Sequence, residues 1–324
     1  MSANIQKRDS QTGIEMAWHK ETNVVLIVDR NNSGIIYPMK KVQMGYLVNG
    51  SFMTDDEAFR IISTDDNLPI GNPIGKGYAL ISNEGIWEAI EKALNGVKYQ
   101  IVSVGSVNDR SLVFMSIKLN GDIKAAGRET KSLLNIMWGH GGLMGVTAKN
   151  GFTIIVCQNT FNIALKERGE FTFRLVHKGN AITKLDGMSE AIDKHFGVAK
   201  EFEDAMNQFA NEPVTVEQAR NCFTGFIAPK TDEELSTRTE NTIDELVSSF
   251  QRGTGNDGND KSDLFGSITD YYSHSSSGGE DRYKQFVSSE FGAGQRRKAE
   301  FFEILKNEEK YQDTIKRGQL VLTK

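Results

Sequence analysis

The sequence predicts an α+β fold in which a mixed or antiparallel sheet is flanked by helices and the C-terminal half is helical. Up to about residue 157, short runs of β-branched and aromatic residues alternate with turn signals. From residue 188 onward, apolar residues recur every three or four positions, as on one face of a helix. With 324 residues, 38% of them hydrophobic, the chain is long enough to bury a sizeable core.

These patterns divide the chain into three predicted parts. Residues 1–66 form a β-rich lobe, residues 67–210 an α+β core, and residues 211–324 a helical region with flexible breaks. The boundary after the lobe is placed in a predicted loop at residues 63–77, which is rich in Gly, Pro and Asp.

The lobe is predicted from three strands, at Val24–Arg30, Ser33–Pro38 and Gln43–Phe52. After them, Thr54 and Glu57 have the spacing of a capping box, in which each side chain binds a free helix amide. We therefore expect a short helix to begin at this position.

The core is predicted to begin with an amphipathic helix that starts after Ser82 and ends at Asn95-Gly96. Further strands and turns follow: a hairpin of Tyr99–Val107 and Ser111–Leu119, a tight turn at Asn120–Asp122, and strands at Leu133–Trp138 and Phe152–Cys157. We expect this core to fold as one unit, with four of its side chains buried together: Trp87, Phe114, Ile155 and Phe202.

The C-terminal half is predicted as a series of helices. They cover Met188–Ala210, Thr215–Phe226 with a capping box at Thr215 and Gln218, Asp232–Arg252, Leu264–Tyr272, and a last helical region at Tyr283–Arg317. Flexible breaks are predicted at Gly253–Lys261 and Ser273–Gly279, which are rich in Gly, Ser, Asn and Asp.

No catalytic centre is evident from the residue types and their spacing. The segment Gly71–Gly77 has three residues between its first two glycines and a glycine after Lys76, so it does not fit a nucleotide-binding Walker loop. The five histidines are scattered, and His195 is interpreted as a core or helix-edge residue. Cys157 and Cys222 are expected to be reduced, buried thiols. We therefore predict no enzyme activity, no cofactor and no metal.

Basic residues concentrate in one segment, although the net charge of the chain is −5. Between Lys118 and Lys184 there are ten Lys and Arg against four Asp and Glu, so this segment carries +6 and the remainder −11. Cations beside aromatic side chains are typical of a groove that binds single-stranded nucleic acid. The predicted groove residues are Lys131, Trp138, His140, Lys149, Gln158, Asn159, Arg168, Arg174, His177, Lys178 and Asn180.

Two alternatives stay open for this segment. Gln158, Asn159 and Thr160 either cap a helix beginning at Phe161 or form an exposed polar cluster. The cations are either an ordinary solvated face or the phosphate-binding side of the groove.

The same segment resembles a family of phage- and plasmid-like proteins classed as domain of unknown function 932. The resemblance extends over most of the chain and depends on Trp18-His19, GHGG at Gly139–Gly142, VCQNTFNIAL at Val156–Leu165, HKGN at His177–Asn180, Gly253–His274 and Phe291–Leu305. The family's His-Asp-Gly stands here as His140-Gly141-Gly142. The resemblance implies a gene carried by a phage, prophage or plasmid. The order of helix, hairpin, strands and long helix is similar to the core of phage single-strand annealing proteins.

The leading hypothesis is a non-catalytic DNA-binding protein that binds single strands and anneals complementary ones as a homo-oligomer. The alternative is a host-takeover or anti-defence factor that binds a phage or host protein. Apolar runs such as Val24–Val28 are too short to cross a bilayer, so we expect no membrane association and a cytoplasmic location in a bacterial host.

Overall fold

The computed structural model describes residues 34–107, 109–154, 160–163, 173–179, 181–229, 235–253, 255–275, 288–289 and 292–323. Its strands are β1 Met39–Val48, β2 Ser51–Ser63, β3 Pro69–Gly75, β4 Tyr99–Val107, β5 Leu112–Ala125, β6 Arg128–Gly139, β7 Val146–Ile154, β8 Thr160–Ile163 and β9 Phe173–Leu175. Its helices are α1 Asn83–Ala93, α2 Ala181–Lys184, α3 Met188–Phe209, α4 Val216–Ile227, α5 Thr237–Arg252, α6 Lys261–Asp270, α7 Ala293–Leu305 and α8 Glu308–Leu322.

The strands form two sheets. A three-stranded sheet has the order β1-β2-β3, and a six-stranded sheet has the order β4-β5-β6-β7-β8, with β9 paired to β7. The described ladders β1–β2, β2–β3, β4–β5 and β7–β9 are antiparallel. The α+β class predicted from the sequence is confirmed.

The first hairpin differs from the prediction. The predicted strand Gln43–Phe52 is two strands joined by a turn at Asn49-Gly50, where φ is 50° and 82°. Glycine and asparagine tolerate these positive angles, which give two-residue hairpin turns the twist of the flanking strands.

The predicted helix at Thr54 is wrong because β2 continues through this position to Ser63. The capping signal is local, and it is outweighed because β2 pairs with β1 on both sides of this position, at residues 51–54 and 59–63. The predicted strand Val24–Arg30 lies outside the described residues.

Two predicted turns are also displaced. The predicted loop at residues 63–77 contains β3, and β5 continues through the predicted turn at Asn120–Asp122. The chain instead reverses at Ala126-Gly127, where φ is 51° and 73°. A strand paired along its length outweighs an isolated turn signal, so the sheet decides where the turn falls.

Helix boundaries follow the sequence more closely. The Ser82 side chain accepts a hydrogen bond from the Gly85 amide at the start of α1, and Thr215 and Gln218 form both hydrogen bonds of the predicted capping box. The last predicted helical region is instead two helices, because Asn307 caps the start of α8. None of the helices in the described residues contains an apolar stretch of the length that a bilayer-spanning helix requires.

Contacts divide the chain into two compact units. The described residues within 1–121, 132–151 and 164–197 belong to unit 1, and those within 122–131, 152–163 and 198–324 belong to unit 2. Neither predicted boundary, at residue 66 or at residue 210, coincides with a division between these units.

Each unit has its own core. Trp87 and its helix α1 pack in unit 1 among alternate residues of the sheet, such as Met115 and Ile136. In unit 2, Phe202 stacks on Phe152 with ring centroids 4.3 Å apart. The prediction that Trp87 and Phe202 share one core is therefore wrong, and Ile155 lies outside the described residues.

Helices α4 and α8 of unit 2 approach so closely that two glycines are required. A Cβ atom at Gly225 would lie 1.9 Å from the Thr314 carbonyl oxygen, and one at Gly318 would lie 1.8 Å from the Asn221 carbonyl oxygen. Both obstacles are backbone atoms, which rotation of a side chain cannot move. The two helix axes would have to separate to admit even a methyl group.

We expect Gly225→Ala to lower the free energy of unfolding by about 3 kcal/mol or more, because overpacking forces backbone shifts. Urea denaturation followed by circular dichroism measures this change. Gly197→Ala in α3 is the matched control, since a Cβ atom added at this glycine would meet nothing within 4 Å. That substitution should be neutral or stabilising by up to about 1 kcal/mol. Equal stability of the two variants would contradict the close helix contact.

Candidate functional site

Three glycine-containing segments of unit 1 meet at one place: residues 71–77, 139–142 and 177–179. A Cβ atom at Gly71 would lie 2.6 Å from the His140 carbonyl oxygen, and one at Gly141 would lie 2.3 Å from the Asn72 amide nitrogen. Both glycines have positive φ, 70° and 62°. Only glycine allows the first two segments to approach this closely.

The third segment joins them through backbone hydrogen bonds. Tyr78 and Lys178 form an isolated antiparallel bridge, and the Ala79 amide donates to the His177 carbonyl oxygen at 3.1 Å. Lys41 holds the first segment in place, since its ammonium group donates to the carbonyl oxygen of Lys76 at 2.6 Å. The three segments thus form one surface, called here the glycine surface.

A buried hydrogen-bond network lies beneath this surface and fixes the protonation of His140. The Asn83 amide donates to the Ile35 carbonyl oxygen at 2.7 Å, and its oxygen accepts from the Trp138 indole at 2.7 Å. Because indole is only a donor, this orientation of the Asn83 amide is fixed. His140 Nε2, 2.7 Å from the same oxygen, must therefore carry the proton. Because burial also keeps this ring neutral near pH 7, His140 Nδ1 is an unprotonated acceptor, and it has no partner among the described residues.

The second histidine of the site, His177, packs beside the first. Its ring stacks on Tyr78 with centroids 5.0 Å apart, and its centroid is 6.1 Å from that of His140. Burial lowers the pKa of His140 to about 3 and also lowers the pKa of His177. Both rings are consequently neutral near pH 7. They are buried beneath the glycine surface and pack against its segments.

The outer side of the glycine surface is exposed and carries cations. Lys76 and Lys178 are exposed, as are several of the glycines around them, namely Gly75, Gly77, Gly142 and Gly179. Lys76 lies 3.7 Å from Glu57, and both side chains are largely exposed. This ion pair therefore contributes little to stability. Arg174, in the strand before the third segment, is exposed as well. Such a surface offers cations and accessible backbone to an anionic ligand.

The structure places the eleven predicted groove residues in three different situations. Arg174 and Lys178 are exposed. Five are buried: Lys131, Trp138, His140, Lys149 and His177. Four lie outside the described residues: Gln158, Asn159, Arg168 and Asn180.

The prediction that the five buried side chains line a groove is wrong. A base can stack only on an accessible ring face, and Trp138 is 0% exposed with its indole N–H satisfied by Asn83. Lys149 is also fully buried, so its ammonium group cannot reach a phosphate. Sequence reasoning missed Lys76 and Asn83, because Lys76 follows a failed nucleotide-loop match and Asn83 opens an ordinary helix.

A second histidine network links Ser132, Asn150 and His195 within unit 1. His195 Nε2 is 2.8 Å from the Ser132 hydroxyl, and its Nδ1 is 2.9 Å from the Asn150 side-chain oxygen. The order of these contacts is that of a serine nucleophile, a base and an orienting group. Ser132 is only 3% exposed and His195 is 0% exposed, so a substrate has no access to the hydroxyl. The predicted core position of His195 is confirmed, and the network stabilises the interior.

An open cleft of about 490 Å³ in unit 2 contains two arginines. Arg317 donates to the carbonyl oxygens of Gly225, Ala228 and Pro229, and Arg297 donates to that of Phe226. These carbonyls lie at the C-terminal end of α4, where four oxygens lack helical partners. The arginines thus cap the helix, and their donors are directed at the protein rather than at the cleft.

The chain was compared with protein-family models, curated proteins and solved structures. A family model with the description Domain of unknown function (DUF932) matches residues 72–308. No curated protein and no solved structure matches the chain. Among the described residues, no group of three or more His, Cys, Asp or Glu side chains is placed to hold a metal ion. The matched range begins inside the first glycine-containing segment and includes the other two.

Proposed function

Because the chain belongs to the DUF932 family, whose description assigns no activity, we propose from its own residues that it is a non-catalytic DNA-binding protein of a phage or plasmid. It binds single-stranded DNA through the glycine surface and promotes the annealing of complementary strands in the cytoplasm of the host. Annealing requires no bond to be made or broken, only neutralised phosphates and base edges that remain free to pair.

One observation carries this proposal: three separate segments bring exposed cations and exposed glycines together. The bridge between Tyr78 and Lys178 places the segment of Lys76 beside that of Lys178. Lysine ammonium groups and accessible backbone amides both bind phosphate oxygens. The exposed glycines lack side chains that would keep a nucleic-acid backbone at a distance.

The same geometry predicts binding without sequence preference. Trp138 and His140 lie beneath the surface, and Tyr78 is half-buried against His177. Among the described residues within or next to the three segments, the exposed large apolar side chains are Leu143 and Val176, which have no hydrogen-bonding groups to read a base. Contacts to phosphate and sugar therefore dominate, and these carry no sequence information directly.

Replacing Lys76, Arg174 and Lys178 together with Ala should weaken binding to all single-stranded sequences alike. Each phosphate contact contributes roughly 0.7 to the slope of log affinity against log salt, so the slope should flatten by about two. Fluorescence anisotropy of labelled single-stranded DNA, measured at several salt concentrations, tests this.

The control replaces three exposed lysines outside the glycine surface, Lys98, Lys310 and Lys316, with Ala. Both triple variants change the net charge equally, so a loss confined to the first identifies the surface rather than total charge. Equal affinities and slopes for the two folded variants would contradict the proposed site. Absence of DNA binding by the unmodified protein at low salt would contradict the function and favour the alternative, a factor that binds a phage or host protein.

A further inference from the structure

The first hairpin extends beyond the sheet to which it belongs. The ladder between β2 and β3 joins Ala58–Ile62 to Pro69–Gly75, whereas β1 and β2 remain paired as far as Val48 and Ser51. From Met44 to Thr54 the described structure therefore has only two strands. This segment is called here the hairpin tip. A two-stranded ribbon is at best marginally stable by itself in water.

The hairpin tip is apolar and highly exposed. Its sequence, MGYLVNGSFMT, has no charged residue. Five large side chains are accessible to solvent, with exposed fractions of 56% for Tyr46, 73% for Leu47, 44% for Val48, 62% for Phe52 and 50% for Met53. Contiguous exposed apolar patches of this kind are uncommon on monomers and indicate an interaction site.

Both faces of the ribbon are apolar. Tyr46 pairs with Met53 and Val48 with Ser51, while Leu47 pairs with Phe52. Because successive side chains of a strand point to opposite faces, Tyr46, Val48 and Met53 share one face, and Leu47 and Phe52 share the other. The occupant must therefore cover more than one side of the tip.

The charges around the tip exclude an anionic occupant. The nearest charged residues on β2 are Asp55, Asp56 and Glu57, which would repel both nucleic-acid phosphates and an anionic membrane. The nearest cation on β1 is Lys41, whose ammonium group is bound to backbone carbonyl oxygens. On the two described strands, the tip thus lacks the cations that a phosphate or a lipid headgroup needs.

We infer that the hairpin tip pairs with the tip of a second copy of this chain, in an antiparallel, two-fold symmetric contact. In the three-stranded sheet, β1 is an edge strand whose outer N–H and C=O groups pair with no other described strand. An uncharged apolar edge favours pairing with another strand, and an identical tip supplies both the strand and the apolar faces. Overlap centred on Tyr46 leaves the acidic residues of each copy level with the uncharged Asn49-Gly50 turn of the other and one strand away from it, so like charges stay apart.

Light scattering coupled to size-exclusion chromatography of the full chain tests this inference. We expect the unmodified protein to have twice the 36.1 kDa mass of one chain. The double variant Leu47→Glu, Phe52→Glu should have the mass of one chain. Dimerisation would have to bury carboxylates on the face that Leu47 and Phe52 share, and burial of an unpaired charge is costly. The control, Val216→Glu with Leu320→Glu, changes two apolar residues that are also exposed but lie far along the sequence, and should remain dimeric.

Circular dichroism checks that each variant is folded. A single-chain mass for the unmodified protein at about 100 µM would overturn the inference, as would a folded tip variant that stays dimeric. Loss of the dimer in both variants would also overturn it, since the tip would then not be specific. The inference is independent of the proposed DNA binding, which is measured separately by the salt dependence of anisotropy.

Discussion

Asp263→Ala is expected to lower the free energy of unfolding of unit 2 by about 3 to 5 kcal/mol. One carboxylate oxygen accepts from the backbone amides of Asp257, Gly258 and Asn259 at 3.2, 2.9 and 3.1 Å. The other oxygen pairs with Arg128 at 2.5 Å, and the Asp263 side chain is fully buried. The substitution leaves three amides without their acceptor and a largely buried guanidinium without its counter-charge.

Chemical denaturation of the Asp263 and Asp257 variants to Ala measures this effect. Asp257→Ala is the matched control, because the residue lies in the same loop, is exposed, and contributes only its backbone amide to the network. We expect its stability to change by no more than about 0.5 kcal/mol. Indistinguishable unfolding midpoints for the two variants would refute the role of the carboxylate.

Acidification from pH 7 to pH 5 is expected to destabilise unit 1 by about 4 kcal/mol. Burial lowers the pKa of His140 to about 3 and that of His195 to about 4. In the unfolded chain each histidine titrates near 6.5, so between pH 6.5 and about 4 the unfolded state binds more protons than the folded state. The stability that the two neutral histidines contribute is therefore fully present above pH 6.5 and is lost as the pH falls towards about 4. Over 1.5 pH units each histidine contributes about 2 kcal/mol at about 1.4 kcal/mol per unit.

Urea denaturation at pH 7 and at pH 5 measures the difference. Carboxylates whose pKa is lowered, such as Asp66 and Glu308, titrate below this interval, so the change is assigned to histidine. His195→Gln should reduce the loss of stability between pH 7 and pH 5 by about 2 kcal/mol, because the amide cannot titrate; His140 and His177, whose pKa values are also lowered by burial, retain their contributions. Stability that is unchanged or higher at pH 5 would contradict the neutral, buried state of these rings.

The sequence by itself determined the elements whose signals are local. The cap at Ser82, the capping box at Thr215 and Gln218, and the apolar periodicity of Met188–Phe209 all involve residues within a few positions of each other. Their hydrogen bonds and apolar faces are therefore specified within the segment itself.

Other local signals were outweighed by pairing with distant residues. The Thr54–Glu57 spacing predicts a helix, but β2, which is paired with β1 at Thr54 and again from Phe59, continues through this position as a strand. The Gly/Asn/Asp-rich segment at Gly253–Lys261 predicts a flexible break. In the structure, described residues of this segment are held by Asp263, whose own charge is balanced by Arg128 from 135 positions earlier.

Tertiary structure alone decided the candidate site. The sequence gathers cations and aromatic residues in one segment, but it does not specify which of them face solvent, so Trp138 and Lys149 were assigned to a surface that they do not reach. Lys76 and Lys178 become neighbours only through the Tyr78–Lys178 bridge and the contact of Gly71 with the backbone of His140. These contacts join segments about 70 and 100 positions apart, and such distances in sequence carry no periodicity or spacing from which proximity could be predicted. The physical reason is that burial and proximity arise from packing of the whole unit, whereas caps and periodicity arise within a single turn or strand.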